Sequence, residues 1–131
     1  EGTFAPTVTL VGGAGNTVPV YVTNTGRQTR IGRQEFVDVY LTGDGGDEGA
    51  GTGRANIALP TAASASHSTS YFPCGYSNNN GTEHEIWCQI AGSASTVELV
   101  WFTTLGDEVD FTGAEQNGAG RTIRLKFNYE L

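Results

Sequence analysis

Hydrophobic and polar positions alternate most strictly at the end of the chain. In RTIRLKFNYEL, residues 121–131, Ile123, Leu125, Phe127, Tyr129 and Leu131 fall on one face, and Thr122, Arg124, Lys126, Asn128 and Glu130 on the other. Period-2 alternation of this length specifies a strand with one buried and one solvated face. Shorter segments of the same kind cover 7–11, 17–24, 28–32, 34–42, 54–59, 68–73, 84–90 and 95–104. Glycine- and asparagine-rich punctuation separates them at Gly12-Gly13, Gly45-Gly46, Asn80-Gly81, Gly106-Asp107 and Asn117-Gly118. No helical period longer than about one turn and no internal repeat interrupts this rhythm. Short strands with turns at this spacing predict one all-β domain over residues 1–131, a β-sandwich of jelly-roll type.

Composition agrees with strands and narrows the partners. The 131 residues include 19 glycines, a turn-rich usage, and no run of good helix formers. A chain of this length buries about two-thirds of its unfolded surface, enough for an independent core. The net charge of −7 disfavours binding nucleic acid through phosphate neutralisation and disfavours an anionic membrane surface. No apolar run is long enough to insert into a membrane. Because the chain begins at Glu1, it is expected to be a processed form or an excised part of a longer protein. Arg27, Arg30 and Arg33, spaced by three, cannot share one strand face and are not expected to form a single cationic patch.

Between Cys74 and Cys88 a turn cluster at Ser77 to Thr82 is flanked by strand-like residues and reads as a hairpin about Asn80-Gly81. Folding the chain there brings Cys74 and Cys88 nearly opposite each other, close enough for a disulfide. Two reduced, partly buried thiols satisfy the same spacing, and neither cysteine lies in a redox or protease signature. Tyr71, Tyr76 and Trp87 beside Asn78, Asn79 and Asn80 are candidate saccharide-binding residues. A ring meets the apolar face of a sugar and the amides meet its hydroxyls. By alternation Tyr71 and Phe72 face opposite ways, and Phe72 is assigned to the core.

The run TGDGGDEGAGTGR, residues 42–54, invites two chemical readings. A phosphate cradle requires a lysine and a following helix; here the glycines lead into RANIAL, so that reading fails. Asp44, Asp47 and Glu48 lack the offsets of a calcium loop and are weak metal candidates, alone or with Asp107, Glu108 and Asp110. The remaining reading is a solvated connection between strands. His67 and His84 have no partner at zinc spacing, and the serines beside His67 lack a nucleophile elbow. Glu83, Glu85 and Glu98 are the acids from which a glycosidase pair would be drawn. No cofactor signature is present, and a non-enzymatic role is expected.

The order of segments resembles that of bacteriophage tail fibres and related virion proteins. The resemblance rests on Gly2, Phe4 and Pro6; on Arg30, Ile31 and Gly32; on Val37, Val39, Leu41 and Thr42; and on Gly53, Ala55, Ile57, Leu59 and Pro60. It covers residues 2–60 and departs from the pattern at Gln28, where a tyrosine is usual. It implies a homotrimeric C-terminal receptor-binding head at the distal end of the fibre, extracellular when acting. Its partner would be a host cell-surface glycan, lipopolysaccharide or capsule. The alternatives are a structural virion component (head fibre, decoration protein or trimerisation cap) without a ligand, and a glycan depolymerase. Leu99, Val100, Trp101 and Phe102, apolar on both strand faces, are expected to need cover from a second copy.

Overall fold

A computed structural model describes residues 1–43, 49–67, 71–79, 81–116 and 120–131. The chain is all-β. Its strands are β1 (Gly2–Phe4), β2 (Val8–Val11), β3 (Tyr21–Ile31), β4 (Gln34–Gly43), β5 (Arg54–Ala58), β6 (Phe72–Asn79), β7 (Thr82–Gln89), β8 (Thr96–Phe102), β9 (Glu108–Asp110) and β10 (Thr122–Glu130), with one 3-10 turn at Ala114–Gln116. All pair antiparallel in one sheet, in the order β1-β3-β4-β10-β6-β7-β8-β5-β2, with β9 attached to β8. Among the described residues no helix is long and apolar enough to cross a membrane.

Chain connectivity forces this sheet to curl. Nine strands laid flat would span about 38 Å from the first to the last. Yet β1 and β2, at opposite ends of the path, are joined only by Ala5, Pro6 and Thr7. That link reaches at most about 14 Å, so the two margins must approach each other around a common interior. The interior holds Val37, Val39 and Leu41 of β4, Ile57 of β5, Ile86 of β7, Val97 and Leu99 of β8, and Ile123, Leu125, Phe127 and Tyr129 of β10. The alternation read from residues 121–131 is thus the alternation of β10, whose burial pattern runs strictly in and out.

Three sequence expectations change. The segments 17–24 and 28–32 belong to a single strand, β3, which runs through Gly26 and starts only at Tyr21. Gly26 lies opposite Phe4 of β1, and the Phe4 ring occupies the space a Cβ there would need, 2.4 Å from the nearest ring atom. The segment 68–73 contributes only Phe72 and Pro73 to β6; residues 68–70 lie outside the described residues. Thirdly, part of the cover that β8 needs comes from its own chain: Leu99 and Val100 are buried, while Trp101 and Phe102 stay part-exposed. Val100 is fully buried, and Phe102 is packed edge-on by both Tyr71 and Trp87.

The β3–β4 hairpin turns at Gly32-Arg33, with a positive φ of 62° at Gly32, the first central residue, as a type II′ turn requires. At the Gly43 end of β4 lies a buried polar cluster. Arg121 donates from Nη2 to the Val20 carbonyl (2.6 Å) and lies over the Tyr21 ring. Tyr21 donates to Gln116 Oε1 (2.5 Å), and Gln116 donates to the Thr112 carbonyl (3.0 Å). This cluster ties the start of β3 to the 3-10 turn that precedes β10.

Candidate functional site

The β6–β7 hairpin closes across Asn79 and Thr82, and Gly81 takes a φ of 94° in its turn. Simple pairing from that turn would set Cys74 against Trp87 and turn it away from Cys88. A bulge between Pro73 and Gly75 shifts the register, so that Phe72 pairs with Cys88 and Pro73 with Trp87. The shift turns Cys74 inward, and Cys74 and Cys88 form a buried disulfide with a Cα–Cα distance of 5.9 Å. The next residue, Gly75, faces the β10 backbone. A Cβ there would lie 1.9 Å from the Arg124 carbonyl oxygen, so only glycine allows β6 and β10 to pair this closely.

Beyond the bulge, register assigns the faces. Asn78 opposes Glu83, Tyr76 opposes Glu85, and Trp87 lies two residues further along β7, all on the outward face. Three of the saccharide candidates, Tyr76, Asn78 and Trp87, are therefore neighbours on one surface. Asn78 is partly committed to the turn: its Oδ1 accepts the Gly81 N–H (3.0 Å) and its Nδ2 donates to Glu83 (3.1 Å). Asn79 falls on the opposite face by alternation, and Asn80 lies outside the described residues. Tyr71 reaches the same surface through Phe102, but its hydroxyl donates to Glu108 (2.8 Å). Burial, and then that bond to a carboxylate, push the Tyr71 hydroxyl up to about 12. Phe72 packs against the core, as its alternation with Tyr71 predicts.

Long-range pairing extends this surface across β10, β4 and β3. Tyr76 opposes Arg124, Arg124 opposes Tyr40, and Tyr40 opposes Thr25, giving the row Thr25–Tyr40–Arg124–Tyr76–Glu85. The Arg124 guanidinium lies 4.4 Å from the centre of the Tyr40 ring, and its pKa is raised, first by a hydrogen bond with Tyr40. One step along the strands lies the row Thr3–Arg27–Asp38–Lys126, in which Lys126 pairs with Asp38 at 3.4 Å. Beyond it lie Thr29, Phe36 and Asn128. A depression of about 410 Å³ is lined by Glu1, Arg27, Thr29, Phe36, Asp38, Lys126 and Asn128. A second hollow, lined by Thr25, Arg27, Asp38 and Tyr40, shares Arg27 and Asp38 with it. Tyr76 and Phe36 are 42% and 43% exposed, so two aromatic faces are open to a ligand in a lattice of hydroxyls, amides and charges.

The remaining candidates have other positions. Glu83 and Glu98 are not a pair: Glu98 opposes Gln89, six residues along β7 from Glu83, a separation of about 20 Å. Glu98 and Asp110 instead flank Arg54, at 3.0 and 3.6 Å. Among the described residues no group of three or more His, Cys, Asp or Glu is placed to hold a metal ion. Asp44, Asp47 and Glu48 lie outside the described residues. His67 accepts the Glu130 N–H on Nδ1 (3.3 Å), and His84 lies against Trp101 with ring centres 4.4 Å apart. Arg27, Arg30 and Arg33 are separate as expected: Arg33 pairs with Glu130 at 2.9 Å, and Arg30 donates to the Gly32 carbonyl of its own turn.

Sequence reading missed Tyr40, Arg124, Phe36, Arg27, Asp38 and Lys126 as site residues. Their polar-face positions were visible in the alternation of residues 34–42 and 121–131. What joins them is the pairing of β4 with β10 and of β10 with β6, which no local pattern records. No protein-family model, curated protein or solved structure matches this chain.

Proposed function

We propose that this chain is a non-enzymatic saccharide-binding domain that uses the outward face of β6, β7, β10 and β4. The observation that carries the proposal is the row Tyr40–Arg124–Tyr76, set beside Trp87 and Asn78 on the outward face of the sheet, with Tyr76 and Arg124 exposed. Aromatic faces within a lattice of hydrogen-bonding groups meet both the apolar and the hydroxylated sides of a sugar ring. With the tail-fibre resemblance, the reading becomes a receptor-binding head on a virion that attaches to a host cell-surface glycan. The segments carrying that resemblance are β1, the β3–β4 hairpin and β5. The sandwich-type, homotrimeric form belongs to the same proposal. Repetition of the site in a trimer would raise avidity without new contacts.

Binding of the purified chain to a glycan array, with Tyr76→Ala and Trp87→Ala as controls, tests the function. Retention on particular glycans that both variants lose supports it. Failure of the folded chain to bind any glycan or intact bacterial cell refutes it. A structural role in the virion is the second reading, favoured by the exposed stripe Val18, Val20 and Val22, at 44%, 45% and 65% exposure. Such a surface is suited to cover by a second copy or a neighbouring virion protein. Sedimentation of the free chain separates the cases: a trimer that binds no glycan supports the structural role, and a monomer removes the trimer from both readings.

A further inference from the structure

The arginines of this acidic chain differ in how they are paired. The sequence has 14 acidic and 7 basic residues, so an exposed arginine has carboxylates in excess to pair with. Arg33, Arg54 and Lys126 do so. Arg124 and Arg27, on adjacent rows of the outward face, take part in none of the ion pairs between described residues, although Asp38 stands opposite Arg27. Arg124 is also held in place. Its guanidinium lies on the Tyr40 ring, and Tyr76 stands directly across from it on β6. Tyr40 engages one part of the guanidinium; a planar guanidinium carries five N–H donors, and those that remain can meet a carboxylate with two parallel hydrogen bonds. Lys126 and Arg27 line the adjoining depression, with Phe36 and Asn128 on its wall.

We infer that the ligand is an acidic saccharide, with a carboxylate held by the edge of Arg124 and the adjoining sugar seated toward Arg27, Lys126 and Phe36. This inference rests on the saccharide-binding reading and names the class of sugar. Glu1, Asp38, Glu83 and Glu85 stand on the same face, which therefore carries no net positive charge. Affinity therefore depends on the directed fork more than on a general basic field, which also disfavours a nucleic acid backbone.

The test is titration calorimetry of the intact chain with three probes of matched length: oligogalacturonate, neutral dextran oligosaccharide and single-stranded oligothymidylate. The expected result is a preference for oligogalacturonate over dextran that weakens as salt is added. Arg124→Gln should lower oligogalacturonate affinity about 10- to 100-fold, the effect of losing a charge-assisted bidentate contact, and Arg124→Lys should not restore it. If Arg124→Gln compromises folding, the double variant Arg27→Gln/Lys126→Gln is the second probe, expected to reduce the same preference. Equal affinity for dextran and oligogalacturonate, with Tyr76→Ala weakening both, overturns the acidic preference and leaves the saccharide reading intact. Binding to none of the saccharides overturns both. Oligothymidylate bound as tightly as oligogalacturonate, with the same loss in Arg124→Gln, overturns the assignment of ligand class.

Discussion

Replacing Gly26 with alanine tests whether the Phe4 ring fastens the β1 margin of the curled sheet. The new Cβ would lie 2.4 Å from Phe4 Cε1, so the ring must leave its seat. Full burial of a phenylalanine is worth about 1.5–3 kcal/mol. Phe4 is half-buried against the core, so displacing it forfeits about 1 kcal/mol on the same scale. Alanine also restricts the unfolded chain, which stabilises by about 0.4–1 kcal/mol where its backbone conformation is allowed. The two effects nearly cancel in the single variant, which makes the double-mutant cycle the informative measurement. In a Phe4→Ala background the steric loss is gone and Gly26→Ala should stabilise. The coupling between the positions is then about 1 kcal/mol, above the roughly 0.3–0.5 kcal/mol scatter seen for independent sites. Urea denaturation of the four proteins measures it through shifts in midpoint at constant slope. A coupling below about 0.3 kcal/mol would refute the role given to Phe4.

Three further outcomes follow from the packing. Replacing Cys74 and Cys88 together with alanine should cost up to about 3 kcal/mol by loop-closure entropy, given their sequence separation of 14; denaturation midpoints with and without reductant check this. Gly75→Ala drives a Cβ into the Arg124 carbonyl, so a loss of about 1–3 kcal/mol is expected, with faster amide exchange along β6 and β10. Burial raises the Tyr129 hydroxyl to about 12, and burial followed by the Glu108 contact does the same for Tyr71, against an ordinary value of 10.0. A folded pKa above the unfolded one stabilises fully below pH 10 and is lost as the pH rises through about 12. Phenolate absorbance of the folded chain should therefore lag that of the unfolded chain over this window; coincident curves would contradict it.

What could be read from the chain depended on how local the determining physics is. β10 was legible because one face is buried along its whole length, so every second residue had to be apolar. The pattern shows β3 as two segments because Gly26 interrupts it, and the reason for that glycine is an aromatic ring from another strand. β1 and β9, at three residues each, are too short to display a period. The hairpin at Asn80-Gly81 was legible from its turn residues, whereas the bulge that brings Cys74 to the inside is set by its pairing partners. The candidate site divides in the same way. Tyr76, Asn78 and Trp87 share a hairpin and were recognised together. Tyr40 and Arg124 join them only through ladders between strands distant in sequence.

Glu1 forms part of the wall of the depression beside Arg27, Phe36 and Lys126. An affinity tag, a fluorophore or a surface linker joined to its amine would emerge beside the proposed ligand path and compete with the sugar. The same molecule anchored through the turn at Leu105, which is 89% exposed, would leave the depression clear. Two immobilised preparations of one folded chain could thus give opposite answers in a glycan screen, and the point of attachment becomes an experimental variable in its own right.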